Sequence, residues 1–267
     1  MTATARSLDD PAILLSEREG AIATLTLNRP NQYNALSEEM LGELQAALDA
    51  LAADQTVQVV VLAAVGKAFC AGHDLKQMRA RPEQAYYQAL FEQCSRMMMT
   101  IGSLPQPVIA KVQGLATAAG CQLVATCDLA VAAEDARFAT SGINVGLFCS
   151  TPAVALSRNV GRKRAFEMLM TGEFIDAPTA LDYGLVNRVV PAADLDAATQ
   201  SLAATIAEKS PVAVRSGKAM FYRQLDRGLG EAYDDAATTM ACNMMAEDTA
   251  EGIDAFIEKR KPVWKGR

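Results

Sequence analysis

VIAKVQGLATAAGCQLVATCDLAVAA, residues 108–133, is the stretch on which the fold turns. VIAKVQG (108–114) is a short apolar run rich in β-branched residues, and Pro105 and Pro107 break whatever precedes it, so it reads as a buried strand. A turn of small residues follows, then a small-residue helix over 117–126, and DLAVAA (128–133) returns to strand character. Strand, crossover helix and strand in succession predict an α/β fold with a parallel sheet. The backbone N–H groups at the start of such a helix have no partner within it and sit at the positive end of its dipole.

Working outward, VQVVVLAAV (57–65) is a second buried strand, and it feeds GKAFCAGHDLKQM (66–78), where Ala71 and Gly72 let the chain turn tightly. Two such loops converging with their amides inward would make an oxyanion hole. Residues 12–17 and 21–28 read as an antiparallel hairpin around Glu19 and Gly20. Ser37-Glu38-Glu39 opens a helix carried on by Met40, Leu41, Leu44, Leu48 and Leu51. A further helical stretch follows the 66–76 loop and runs to about residue 102. From about residue 152 the pattern is mostly helical, with Gly172 as a C-cap and LVNRVV (185–190) strand-like before Pro191. A change of character near residue 190 divides a mixed core (1–190) from an amphipathic helical region (191–267). That region is expected to cover its own core or to pack on another subunit.

The 267 residues are 51% apolar and 21% charged, with 25 Lys and Arg against 31 Asp and Glu. A net charge of −6 without a basic stripe argues against nucleic acid as a partner. Six cysteines without C-x-x-C spacing read as reduced thiols, and nothing has metal-ligand spacing. MTATARSLDDPA (1–12) lacks an apolar signal core, and no apolar run is long enough to span a bilayer, so the expectation is a cytoplasmic protein that does not contact a membrane.

Five segments in order resemble the crotonase (enoyl-CoA hydratase/isomerase) superfamily. They are LNRPNQYNAL (27–36), AFCAGHDL (68–75), the 108–133 stretch, MTGEFIDAPTALDYGLVNRVVP (170–191) and EGIDAFIEKRKPVW (251–264). The resemblance implies a repeated β-β-α core with a C-terminal helical extension, and a homotrimer or dimer of trimers. It implies an acyl-CoA or enoyl-CoA ligand, with coenzyme A arriving on the substrate rather than as a resident cofactor. It also implies a thioester oxygen held by the backbone N–H groups of His73 and Ala119, which would stabilise an enolate. Coenzyme A contacts carry over to Ala35, Ala71, His73, Asp74, Leu75, Lys76 and Lys259.

The departures bear on the reaction. Gln122 and Gly142 stand where hydratases of the family carry their two glutamates. Neither an amide nor a glycine moves a proton at neutral pH, and each lost acid or base costs about 10²–10⁴ in rate. Ordinary hydratase activity is therefore not expected, and the alternative is a non-catalytic acyl-CoA-binding pseudoenzyme. Replacement groups are sought in His73, whose ring is expected to titrate near neutrality, and in Cys149, a nucleophile if its thiol were acidified and otherwise a small buried residue. Asp74 reads as a helix cap. Tyr86, Tyr87 and Glu92 read as a packing or solvated face. Met97, Met98 and Met99 either line an acyl channel or fill the core, and the same choice holds for Met240, Met244 and Met245.

Overall fold

The computed structural model describes residues 12–267; the expectation about the N-terminal segment falls mainly on residues 1–11, outside the described residues. The chain opens with β1 (Leu14–Glu19) and β2 (Ile22–Leu27), an antiparallel hairpin turned at Gly20. Helix α1 (Glu38–Ala53) starts where the sequence signals it, the Ser37 hydroxyl accepting from the Met40 N–H. Then come β3 (Val59–Ala64), β4 (Ala68–Cys70), α2 (Leu75–Ala80) and α3 (Gln84–Ser103). The single helix expected to reach residue 102 is thus two, parted around Pro82.

Next follow β5 (Val108–Val112), β6 (Leu115–Thr117), α4 (Ala119–Thr126), β7 (Leu129–Ala133) and β8 (Arg137–Ala139). After them come α5 (Ser150–Asn159), α6 (Arg162–Thr171), β9 (Ile175–Asp176), α7 (Ala177–Asp182) and β10 (Arg188–Val190). The chain closes with α8 (Leu195–Ala207), α9 (Pro211–Leu225), α10 (Leu229–Met244) and α11 (Glu247–Glu258).

Two sheets result. The larger runs β1-β2-β3-β5-β7-β10 and is parallel from β2 onward; the smaller runs β4-β6-β8-β9. Each of the pairs β3/β4, β5/β6 and β7/β8 gives one strand to each sheet, and helix follows, so a β-β-α unit repeats. The continuous apolar strands are explained by burial on both faces. Val60, Leu62, Val108 and Ala110 face the main core, whereas Val59, Val61 and Ile109 pack with Leu195 and Ala203 of α8.

Helix α9 is tied to the same core by polar contacts. Lys218 Nζ donates to the carbonyls of Ile101 (3.0 Å) and Gln106 (2.9 Å) and to Asp128 Oδ2 (2.7 Å). Asp128 also accepts from the Val108 N–H (2.6 Å) and the Tyr222 hydroxyl (2.7 Å). Burial lowers the Lys218 pKa while Asp128 opposes the shift. Helices α10 and α11 are different in kind, leaving Met240, Met244, Phe256 and Ile257 exposed on one chain.

Candidate active site

The loop after β4 meets the start of α4, and both ends of that meeting are fixed from the sequence upward. Asn34 is fully buried; its amide donates to the carbonyls of Val65 (2.9 Å) and Ala68 (2.7 Å), and its Oδ1 accepts from the Arg29 N–H (2.8 Å). This holds Leu36 beside His73 as a single parallel bridge, in which the Leu36 N–H donates to Gly72 O and the Asp74 N–H to Leu36 O. The pattern uses the groups on either side of His73 and leaves its own N–H without an acceptor among the described residues.

On the facing loop, the Ala118 N–H donates to Ala139 O, and Ala118 adopts φ 51°, ψ −121°, a region nearly reserved for glycine. That conformation starts α4 at Ala119, whose N–H also has no acceptor among the described residues. Gly72, at φ 90°, is where the loops touch. A Cβ there would lie 2.9 Å from Ala118 Cβ and 3.1 Å from Ala119 N. Two unpaired N–H groups therefore lie on adjoining loops, one of them at the positive end of a helix.

Both loops line a pocket of about 240 Å³. Of the residues singled out in the sequence, Ala71, His73, Leu75, Ala119, Gly142 and Cys149 line it together. Ser141, whose hydroxyl is 2.6 Å from that of Thr117, is a polar wall that the sequence reading missed; an isolated serine in a loop carries no pattern. No aspartate or glutamate lines this pocket among the described residues.

The remaining candidates lie elsewhere. Gln122, buried on α4, lines a second cavity of about 720 Å³ between α3, α4, α5 and α9, with Met98 and Met99. The two cavities share Thr151. Met97 is core, and Met240, Met244 and Met245 are exposed. Ala35 is buried beneath the first loop, Lys76 and Lys259 are exposed, and none of the three lines the pocket. Asp74 is already engaged: it caps α2 by accepting from the Lys76 and Gln77 N–H groups and pairs with Arg29 at 3.7 Å. Tyr87 donates to Met78 O, Tyr86 lies under the Arg81 guanidinium, and Glu92 accepts from Gln88; these three are outside the pocket as well.

Two chemical expectations need correction or narrowing. His73 does not titrate near neutrality, because burial pushes its pKa down to about 4, so the ring is neutral at physiological pH. The ring stands edge-on to Phe91 at 5.3 Å, and its Nε2 is buried without a partner. The Cys149 thiol is raised by burial, which outweighs the opposing Gly142 N–H, so nothing acidifies it toward a thiolate.

The site also explains why a glutamate does not fit at position 142. A Cβ on Gly142 would meet Leu147 O at 2.6 Å and Cys149 Sγ at 2.8 Å.

Comparison with known proteins agrees with this architecture. The enoyl-CoA hydratase/isomerase family profile matches residues 17–267. The Mus musculus protein named "Enoyl-CoA hydratase domain-containing protein 3, mitochondrial" is 46% identical over 260 residues, 97% of this chain and 87% of that one. Its Homo sapiens namesake is 47% identical over 259 residues, covering 97% and 86%. A crystal structure of an enoyl-CoA hydratase from Mycobacterium smegmatis superposes with a TM-score of 0.94 at 60% identity, covering 95% of this chain and 99% of that one. The expected cytoplasmic location is overturned by the names of the mouse and human relatives, which point to mitochondria. Reading residues 1–12 as neither a signal peptide nor a transit peptide does not decide the compartment, and a fold built for chemistry carries no mark of it. By its profile match, its relatives and its crotonase fold, this chain belongs to the enoyl-CoA hydratase/isomerase family.

Proposed function

We propose that this chain binds acyl-CoA thioesters and holds the thioester oxygen between the backbone N–H groups of His73 and Ala119, without carrying out ordinary hydration. The observation that carries the reading is a pocket with two unpaired N–H groups on adjoining loops and no carboxylate in its lining. Such donors need no reorganisation as charge develops on the oxygen, and losing one costs about 2.7–4 kcal/mol in hydrolases that use them. They favour an enolate, which makes the α-carbon proton of the bound thioester more acidic. What the pocket lacks is a group to move protons efficiently. Gly142 has no side chain, Gln122 lines the neighbouring cavity, and His73 with its pKa near 4 is a weak base.

The absence of a lining carboxylate favours a second reading, in which the chain holds acyl-CoA and does not turn it over. Leu75 and Ala71 at the pocket, with Lys76 and Lys259 on the surface, are our candidates for contacts to coenzyme A. The core over 1–190 would supply the pocket, and the helices over 191–267 would cover it or join a neighbouring subunit.

Mass spectrometry of the purified chain with crotonyl-CoA and a panel of saturated acyl-CoAs in deuterated buffer tests the reading, with calorimetry run in parallel. Binding with deuterium entering at the α-carbon and no hydrated product supports the enolate site. Binding with neither supports the non-catalytic reading. Hydration at a normal hydratase rate, or no binding of any thioester, would overturn the proposal.

A further inference from the structure

The second cavity holds an unexplained polar group. Its walls are largely apolar, with Met98, Met99, Val154, Phe221 and Leu225 among them, and Gln122 lines it from α4. Gln122 is only 5% exposed, its Oε1 is buried without a donor, and its side-chain amide forms no hydrogen bond among the described residues. Its backbone carbonyl is engaged, accepting from the Thr126 hydroxyl at 2.8 Å, so the side chain alone is unsatisfied. Leaving a buried amide unpaired costs about 1–3 kcal/mol. An apolar side chain of similar length would avoid that cost.

Of the other polar groups at this cavity, the charged Arg158 and Asp226 are solvent-exposed, while Asp128 and Asn159 are engaged. Asp128 is saturated by Val108, Lys218 and Tyr222, and the Asn159 amide donates to Ala125 O and Ala155 O. A charged ligand end placed at the buried Gln122 would pay for desolvation, since Arg158 and Asp226, the lining charges with no ion-pair partner among the described residues, are solvent-exposed. A hydroxyl is neutral, and it both donates and accepts, so it satisfies either end of a carboxamide. Thr151 lines both this cavity and the first pocket, so the two adjoin at that residue.

We infer that Gln122 is a specificity residue that recognises a hydroxyl on the distal part of an otherwise apolar acyl chain lying in the cavity between α3, α4, α5 and α9. The inference rests on the acyl-CoA reading above and narrows its substrate class. A site built around a hydroxyl discriminates strongly against the analogue lacking it, because its own polar group is then left unpaired.

The test compares ω-hydroxyacyl-CoAs with plain acyl-CoAs across a ladder of chain lengths by calorimetry, using the wild-type chain and Gln122→Met. Tighter binding of the hydroxylated thioester at a matching length, by about tenfold or more, is expected in the wild type, with the preference lost in the variant. Equal affinities at every length, or a preference that survives Gln122→Met, overturn the inference. Methyl-labelled methionine spectra of the wild type give a readout that needs no variant. The hydroxylated thioester should shift both Met98 and Met99, and a shift at neither overturns the inference. If no thioester of either kind binds, the acyl-CoA reading fails separately. A linear terminal diol is then the probe: shifts at Met98 and Met99 sustain the cavity assignment, and their absence sinks it.

Discussion

His73 combines a free backbone N–H with a ring that burial keeps neutral, and the two can be separated by experiment. The imidazole is held at about 4 in the folded chain against an ordinary 6.5. Between those values the unfolded chain binds the extra proton, so stability rises with pH across the window and is complete above it. On acidification from about 6.5 to about 4 the residue costs up to about 3 kcal/mol. Urea unfolding at several pH values should show this limb as a difference between wild type and His73→Phe; identical pH dependences would refute it. At Ala118 the positive φ predicts a gain: Ala118→Gly should raise stability by about 1 kcal/mol, read as a higher urea midpoint. Restoring both glutamates, as Gln122→Glu with Gly142→Glu, should give no hydratase activity and a melting temperature lower by several degrees, because the 147–149 loop occupies the space a side chain at 142 needs. A soluble double variant with wild-type melting and ordinary hydration would contradict that account. The sequence made the identity of these positions legible, since Gln122 falls within the 108–133 stretch and Gly142 follows it where the family carries its second glutamate. It did not make their surroundings legible: which cavity Gln122 lines, and what crowds Gly142, depend on loops from distant parts of the chain.

Among the elements, the long strands and α1 were readable because burial on both faces, or on one helical stripe, writes itself into five or more residues. The smaller sheet was not. Strands β4, β6 and β8 have three residues each and β9 two, too few for either periodicity to register: β4 and β6 fall in what reads as loop and turn, β9 in a stretch that reads as mostly helical, and β8 gives no reading. Helix α9 poses a sharper question, since its fifteen residues have no fully buried member, yet Lys218 and Tyr222 reach into the core. Its attachment therefore depends on a few polar contacts. Lys218→Met, which leaves Asp128 buried without its cation, is predicted to cost about 3–5 kcal/mol. Tyr222→Phe removes one hydrogen bond and should cost only about 1–2 kcal/mol. Denaturant midpoints rank the two, and equal losses would mean that the ion pair is not what fastens the helix.

For the molecule as a whole, the exposed apolar residues of α10 and α11 are the largest feature that a single chain leaves unexplained. We propose that they meet other copies of the chain, as a trimer or a dimer of trimers. Light scattering coupled to gel filtration should give a multiple of the 28.4 kDa chain mass, and a lone monomer would end the proposal. Charged substitutions at Met240 and Phe256 should shift the population toward single chains. The Lys218–Asp128 pair has a consequence at this scale that concerns time rather than energy. Asp128 and its cation are 90 residues apart, and a ribosome adds about 5–20 residues each second. The carboxylate of a nascent chain thus waits on the order of 5–20 s for its counter-charge to be synthesised. For most of that interval, until residues 195–207 have been made, the sheet also lacks α8, and its second face is open to whatever chaperone stands at the tunnel exit.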